Sequence, residues 1–143
     1  MQNVRIVISL SESEFEKCFP VMHQLRPHLD LEKYMAQLKT QRDSAGYQLV
    51  YLEDENQVLA AIGYRVTHFL AWGKVLYIDD LVTDESKTNR GFAGNLIDWV
   101  YEKAKELGCD QIHLDSGYQR HAAHKLYLNK KMKLACHHFS KEI

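Results

Sequence analysis

Long apolar runs are missing from this 143-residue chain. Its longest apolar stretches are only a few residues, far short of the roughly 20 that a transmembrane helix requires. The first residues, Met1–Ile6, are typical of the start of a strand and lack the apolar region of a signal peptide. We therefore expect a cytoplasmic protein without a membrane partner, and the length predicts one domain over residues 1–143.

Cysteine and net charge are also low. The chain has 3 cysteines, placed far apart at Cys18, Cys109 and Cys136, and no CxxC pair. This pattern excludes a disulfide framework and predicts reduced thiols that pack as small hydrophobic side chains. The 18 Lys and Arg residues nearly balance the 19 Asp and Glu residues, and the net charge is -1. Because no strong basic field is present, we expect no nucleic-acid partner.

Helix and strand signals alternate along the chain. A short strand over 4–10 precedes Ser11 and Glu14, which have the spacing of a capping box. Pro20 predicts a break in the next helix, and Asp30 predicts the cap of another. Further strands are expected over 47–52, 58–69, 75–83, 111–116 and 134–139, with a polar turn at 53–56 and helices over 90–107 and 121–130. This order predicts a mixed α/β (α+β) domain with one central sheet flanked by helices.

The segment richest in chemical signals runs from Tyr77 to Gly94. It reads as a strand, a polar loop and a helix whose first turn carries the small residues Gly91, Ala93 and Gly94. Small residues let a ligand approach the backbone, and a helix N-terminus offers free N–H groups and the positive end of the dipole. The pattern predicts a phosphate site. Many helices that begin this way bind nothing, so a purely structural role is the alternative.

This segment resembles the GNAT superfamily of N-acetyltransferases. That family opens the corresponding helix with Gln or Arg, two residues, Gly, one residue, and Gly or Ala. Here Gly91 and Ala93 match, whereas Thr88 stands in place of Gln or Arg. The preceding strand segment resembles the family's splayed, bulged strand, whose backbone pairs with the pantetheine arm. The resemblance implies a GNAT-like fold and acetyl-CoA as cosubstrate, bound by Leu81, Val82, Thr83, Thr88, Asn89, Arg90, Gly91, Phe92, Ala93 and Gly94.

A second block, Leu114–Tyr127, resembles the family's later strand and helix, in which an Ala precedes a Tyr by four positions. Ala123 and Tyr127 have this spacing and share one helical face. The family's Asn three residues before that Ala, and its Gly-Phe pair after the helix, are replaced here. The resemblance implies Tyr127 as the general acid. A phenol with a usual pKa of about 10 is a suitable proton donor to a thiolate whose thiol has a usual pKa of about 8.5.

Amine acetylation also needs a group that accepts the amine proton. Asp79 and Asp80 are adjacent, so a simple strand would direct them to opposite faces and bring at most one into a cleft. Asp79 matches an acidic position of polyamine-type family members, and the resemblance therefore implies Asp79 as a water-mediated base. The alternatives are that these carboxylates only attract a cationic substrate or cap a loop, or that His121 or His137 is the base.

The resemblance predicts a reaction class without a defined substrate. It implies acetyl transfer from acetyl-CoA to a primary amine of a small molecule or protein, by a chain that forms a homodimer. The acceptor side is expected around Arg26–Tyr34, with Phe69 and Trp72. A non-catalytic acetyl-CoA-binding sensor or interaction module is the alternative function. A metal-binding role for the histidine-rich C-terminal third lacks a third ligand beside His121 and His124, so we expect no metal.

Overall fold

A computed structural model describes residues 3–143. Met1 and Gln2, part of the expected strand start, lie outside the described residues. The chain divides into two compact units, of which the first ends at His113 and the second is Leu114–Ile143. In chain order the elements are β1 (Arg5–Ile8), α1 (Glu12–Lys17), α2 (Phe19–Leu25), α3 (Leu31–Ala45), β2 (Gln48–Asp54), β3 (Gln57–Phe69), β4 (Gly73–Thr83), α4 (Phe92–Glu106), β5 (Gln111–Leu114) and α5 (His121–Asn129).

The N-terminal helices begin where local side-chain chemistry predicts. Ser11 and Glu14 form a reciprocal capping box at α1, in which each side chain accepts from the other residue's backbone N–H. Asp30 caps α3 by accepting from a first-turn N–H at 2.8 Å. Pro20 stands in the first turn of α2, directly after a helix boundary at Cys18. A proline is tolerated there because its missing N–H would have no partner inside the helix.

The strands form one mixed sheet in the order β1-β2-β3-β4-β5. The pairs from β1 to β4 are antiparallel. The turn between β2 and β3 has Glu55 and Asn56 at positive φ, 49° and 66°, as a tight hairpin turn requires. The helix α4 connects β4 to β5 in the chain. The expected fold class, an α/β (α+β) arrangement with a central sheet flanked by helices, is confirmed.

Helices cover the central strands on both faces. On one face, α1, α2 and α3 enclose a core that includes Leu49 and Tyr51 of β2. The intervening residues Val50 and Leu52 point to the other face because strand side chains alternate, and they are equally buried. Helix α4 packs against β2, β3 and β4 and fully buries Leu96. Strand β4, which carries the acidic pair Asp79 and Asp80, is therefore contacted by helices on both faces.

Two secondary-structure predictions are wrong. Residues 134–139 form no strand, and their large apolar side chains Leu134 and Phe139 are each 91% exposed. A short segment with apolar residues is a weak signal because a strand also needs a partner for its backbone groups. Glu53, expected in a polar turn, instead lies within β2 and is only 2% exposed.

Glu53 is a buried carboxylate held between two cations. Its Oε1 accepts from Arg5 Nε at 2.8 Å, and its Oε2 accepts from Lys17 Nζ at 2.5 Å. The bond from Lys17 and, secondly, that from Arg5 hold the pKa of Glu53 below its usual range. Since Arg5 lies on β1 and Lys17 ends α1, this cluster ties both elements to β2.

We expect Glu53→Gln to lower the free energy of unfolding at neutral pH by about 1–3 kcal/mol, because both cations lose their carboxylate partner. Ionised Glu53 stabilises the fold above the pKa of the unfolded state, about 4.3 for glutamate. That contribution is lost as the pH falls from there through the lower pKa of the folded state. The difference between wild type and variant should therefore shrink in acid, which urea unfolding at several pH values measures.

Glu102→Gln is the matched control, because Glu102 pairs with Lys105 while 65% exposed. Exposed pairs of this kind contribute about 0.5 kcal/mol or less. Equal losses in both variants, or a Glu53→Gln difference that grows toward acid, would contradict the structural role of Glu53.

Candidate functional site

The pairing of β3 with β4 contains one irregularity, at Asp79. Gly63 pairs with Asp80, and the next residue, Tyr64, pairs with Ile78, so Asp79 is an extra residue in β4. An extra residue interrupts the alternation of side chains, and two consecutive side chains then point to the same face. Asp79 and Asp80 accordingly line one cavity. The expectation that they face opposite sides is therefore wrong, because it assumed a regular strand.

Asp80 is held by two donors. Tyr47 donates its hydroxyl proton to Oδ2 at 2.7 Å, and Arg26 Nε donates to Oδ1 at 3.0 Å. Arg26 Nη2 also donates to the backbone carbonyl of Asp79 at 3.0 Å. Burial and then the charge of Asp80 raise the pKa of the Tyr47 phenol well above its usual value, so this hydroxyl remains a donor. The Asp80 carboxylate therefore holds Arg26 and Tyr47 in position.

Gly63 makes room for the Tyr47 hydroxyl. A Cβ atom at position 63 would lie 1.7 Å from the Tyr47 hydroxyl oxygen, which is a severe overlap. Position 63 is also the last regular pair before the bulge. A glycine inside a strand often marks a bulge or a close approach of another group, and Gly63 marks both.

Asp79 pairs with a different cation, Arg65 of β3. Arg65 Nε lies 3.0 Å from Oδ2 and 3.3 Å from Oδ1, and the guanidinium is 4.9 Å from the centre of the Tyr77 ring. Burial raises the pKa of Asp79 above its usual range, and the hydrogen bond and charge of Arg65 oppose part of this rise. Asp79 is therefore a stronger base than an exposed aspartate. Arg65 and Tyr47 were not predicted as site residues.

A cavity of about 350 Å³ opens above the acidic pair, a volume in the range of small-ligand sites. Its lining includes Met22 of α2, Arg26 and Leu29 from the following segment, and Tyr34 of α3, which agrees with the expected acceptor side. Phe69 and Trp72, expected there as well, lie instead in an aromatic cluster with Tyr77 and His113. A shallower depression on α3, lined by Ala36, Gln37, Thr40 and Gln41, has no titratable side chain.

The residues predicted to bind the cofactor form the end of β4 and the start of α4. Leu81–Thr83 pair regularly with β3, so the bulge precedes the segment that was expected to be bulged. Asn89 and Gly91 have positive φ, 62° and 82°, and 88–90 is an exposed loop. Gly91 is the N-cap residue of α4, and no side chain caps this helix start. The first-turn N–H groups at 92–94 therefore have no side-chain acceptor from a cap, as an anion site requires.

Tyr127 lies on α5, in the second unit. Burial raises the pKa of its phenol, and the charge of Arg120 opposes part of the rise. The phenol is therefore protonated at neutral pH. Nearby, the His121 and His124 rings meet edge to face at 6.1 Å, and His124 Nε2 lies 2.8 Å from the Gly117 carbonyl oxygen.

Two further properties concern the described chain as a whole. Within residues 3–143, no group of three or more His, Cys, Asp or Glu side chains is arranged to hold a metal ion. None of the helices in the same range combines the length and apolarity of a bilayer-spanning segment.

Sequence comparisons point to one family. The family model described as the acetyltransferase (GNAT) family matches residues 10–132. An uncharacterized N-acetyltransferase of Bacillus subtilis, YhdJ, is 31% identical over 120 residues, which is 84% of this chain and 84% of that protein. A D-amino-acid N-acetyltransferase of Saccharomyces cerevisiae is 32% identical over 71 residues, which is 47% of this chain and 44% of that protein.

Solved structures share the fold. The aminoglycoside N-acetyltransferase AAC(6')-Iy in complex with CoA has a TM-score of 0.87 and 13% identity, over 100% of this chain and 96% of that one. At this level of identity the similarity concerns the arrangement of helices and strands.

We expect Arg65→Met to raise the pKa of Asp79 further, because the variant removes the hydrogen bond and the positive charge that oppose the effect of burial. The carboxyl carbon chemical shift of Asp79, followed by NMR across pH, measures this directly. Arg42→Met is the control, since Arg42 pairs with Asp43 at the end of α3, outside the cavity. A lowered or unchanged pKa in Arg65→Met would show that Arg65 does not set the ionisation of Asp79.

Proposed function

Because the chain belongs to the acetyltransferase (GNAT) family, we propose that it transfers an acetyl group from acetyl-CoA to a primary amine. The observation that carries this proposal is the acidic pair: two consecutive carboxylates on one face of β4, at the bottom of a cavity of small-molecule size. The raised pKa of Asp79 in a cavity supports catalysis over a non-catalytic sensor, since carboxylates with perturbed pKa values are concentrated at catalytic sites.

We place acetyl-CoA at the end of β4 and the start of α4. The backbone of Leu81, Val82 and Thr83 would pair with the pantetheine arm, and residues 88–94 would bind the pyrophosphate. The uncapped start of α4 and its small residues support this, because they offer free N–H groups at the positive end of the helix. A structural neighbour was solved with CoA, which also supports it. The thioester carbonyl would accept a hydrogen bond from a backbone N–H near Val82.

In the proposed reaction the amine nitrogen attacks the thioester carbonyl directly. The C–N bond forms, the C–S bond breaks, and the leaving thiolate takes a proton. Asp79 accepts the amine proton through a water molecule, and Tyr127 donates the proton to the thiolate. The raised pKa of Asp79 suits a proton acceptor, and the raised pKa of Tyr127 keeps its phenol protonated at neutral pH, so that it carries the proton for the thiolate. Arg65 and Asp80 are positioning residues.

A small-molecule amine is the proposed acceptor. The names of two similar proteins describe acetylation of D-amino acids and of aminoglycosides, which are small molecules with primary amines. The cavity volume of about 350 Å³ agrees with acceptors of modest size. A cytoplasmic location, a single domain over 1–143 and a homodimer remain predictions.

Acetyl-CoA should stabilise the protein against thermal unfolding. At about 100 times the dissociation constant, a ligand that binds only the folded state adds roughly 2.7 kcal/mol, which corresponds to a rise in Tm of roughly 5–15 °C. Adenosine, which lacks the pyrophosphate and the pantetheine arm, is the control and should give no comparable rise. Identical melting curves with and without millimolar acetyl-CoA would argue against the cofactor site.

Tyr127→Phe should lower kcat by about 100-fold or more, the usual size of a general-acid contribution, while the acetyl-CoA-dependent rise in Tm stays unchanged. Thiol release during acetylation of an amine panel measures kcat. Tyr118→Phe is the matched control, because Tyr118 belongs to the same unit and is 79% exposed. Equal rates in Tyr127→Phe and wild type would remove Tyr127 from the mechanism. A wild-type protein that binds acetyl-CoA and acetylates no amine would be a sensor.

A further inference from the structure

The cavity above the acidic pair has two chemically different sides. Both of its carboxylates, Asp79 and Asp80, come from β4. Most of the remaining lining comes from residues 22–41, and among the described residues of this part none is acidic. Instead, this part presents four side chains with nitrogen donors: Arg26, His28, Gln37 and Gln41.

The carboxylates do not form a free anionic patch. Asp80 is bound by Arg26 and Tyr47, and Asp79 is bound by Arg65. Each negative charge therefore already has an arginine partner, which weakens the attraction of the site for an acceptor whose only charge is positive. The alternative that these carboxylates only attract a cationic substrate rested on their charge without these arginine partners.

Arg26 retains capacity to bind an anion. A guanidinium has five N–H donors, and the contacts of Arg26 to Asp80 and to the Asp79 carbonyl use its Nε and Nη2 atoms. Its side chain is 42% exposed and lines the cavity. Within residues 3–143, the side chains of Gln37 and Gln41 make no hydrogen bond, so both amides are available to a ligand.

We propose that the acceptor is a zwitterionic small molecule, a primary amine that also carries a carboxylate or phosphate group. This inference rests on the proposed function, because it names the substrate class of the same site. The amine lies at the β4 side, within reach of the water that Asp79 orients. The anionic group lies at the helical side, where Arg26 and the two glutamine amides donate hydrogen bonds to it. Two chemically different parts of one cavity lining thereby hold the two ends of one molecule.

Matched pairs of amines test this inference. Tyrosine is compared with tyramine for the carboxylate, and phosphoethanolamine with ethanolamine for the phosphate. We expect kcat/KM to be higher by about tenfold or more for the acid-bearing member of at least one pair, as one charge-assisted hydrogen bond provides. The pair that shows the preference identifies the anionic group.

Arg26→Met removes an anchor of Asp80 and should raise KM for both amines, but much more for the acid-bearing amine, so that the preference is lost. If Arg26 had a purely structural role, the variant would instead raise KM for both amines by the same factor. Arg42→Met is the control, because its arginine is also 42% exposed but pairs with Asp43 outside the cavity. If Arg26→Met does not fold, the wild type is inhibited with 3-(4-hydroxyphenyl)propionate and with 4-ethylphenol, which differ in the carboxylate. The carboxylate-bearing compound should then be the stronger inhibitor, and equal inhibition would contradict an anion-binding role of the cavity.

Equal kcat/KM within both pairs, or a preference for the acid-free amines, would overturn the zwitterionic acceptor while acetyl transfer itself stands. A failure of the proposed function is seen separately, as the absence of acetyl transfer to every amine tested together with the absence of stabilisation by acetyl-CoA.

Discussion

Asp79 is the extra residue of a β-bulge in β4, opposite Gly63 and Tyr64 of β3. Because of this bulge, the carboxylates of Asp79 and Asp80 share one face of the sheet. A regular strand would have buried one of them against the opposite helix layer, where an unpaired charge is costly. Glycine at position 63 admits the Tyr47 hydroxyl to Asp80. The bulge therefore controls both the location of the acids and the identity of their partners.

The two carboxylates then have different tasks because their partners differ. Asp80 receives a phenol and a guanidinium from elements far apart in the sequence, which anchors α2 and the start of β2 to β4. Hydrogen bonds to charged groups contribute about 1.5–3 kcal/mol each, so this anchor is substantial. Within residues 3–143, Arg65 is the one side chain described as donating a hydrogen bond to the Asp79 carboxylate. Burial raises the pKa of Asp79. It is the carboxylate better suited to accept a proton.

Local chemistry made much of the fold predictable. Ser11, Pro20 and Asp30 act on the residues next to them, so their effects on helix boundaries can be derived from spacing alone. The start of α4 was predictable for the same reason, from Gly91 and its neighbours.

Non-local interactions were not predictable in this way. Tyr47 and Asp80, which are hydrogen-bonded, are 33 positions apart in the sequence. The burial of the Glu53 carboxylate likewise depends on two cations, Arg5 and Lys17, that belong to other elements. The only local sign of the bulge is a glycine within a strand, and it does not specify which residue of the facing strand is the extra one. The segment 134–139 shows the converse, since its apolar residues form no strand.

Cross-strand nuclear Overhauser effects between β3 and β4 test the central claim most directly, because they report backbone pairing in solution. The structure predicts contacts from Gly63 to Asp80 and from Tyr64 to Ile78, with Asp79 lacking a directly opposed residue on β3. Contacts from Tyr64 to Asp79 in place of those to Ile78 would contradict it, since regular pairing continued from Gly63 and Asp80 would return Asp79 and Asp80 to opposite faces and separate the acidic pair.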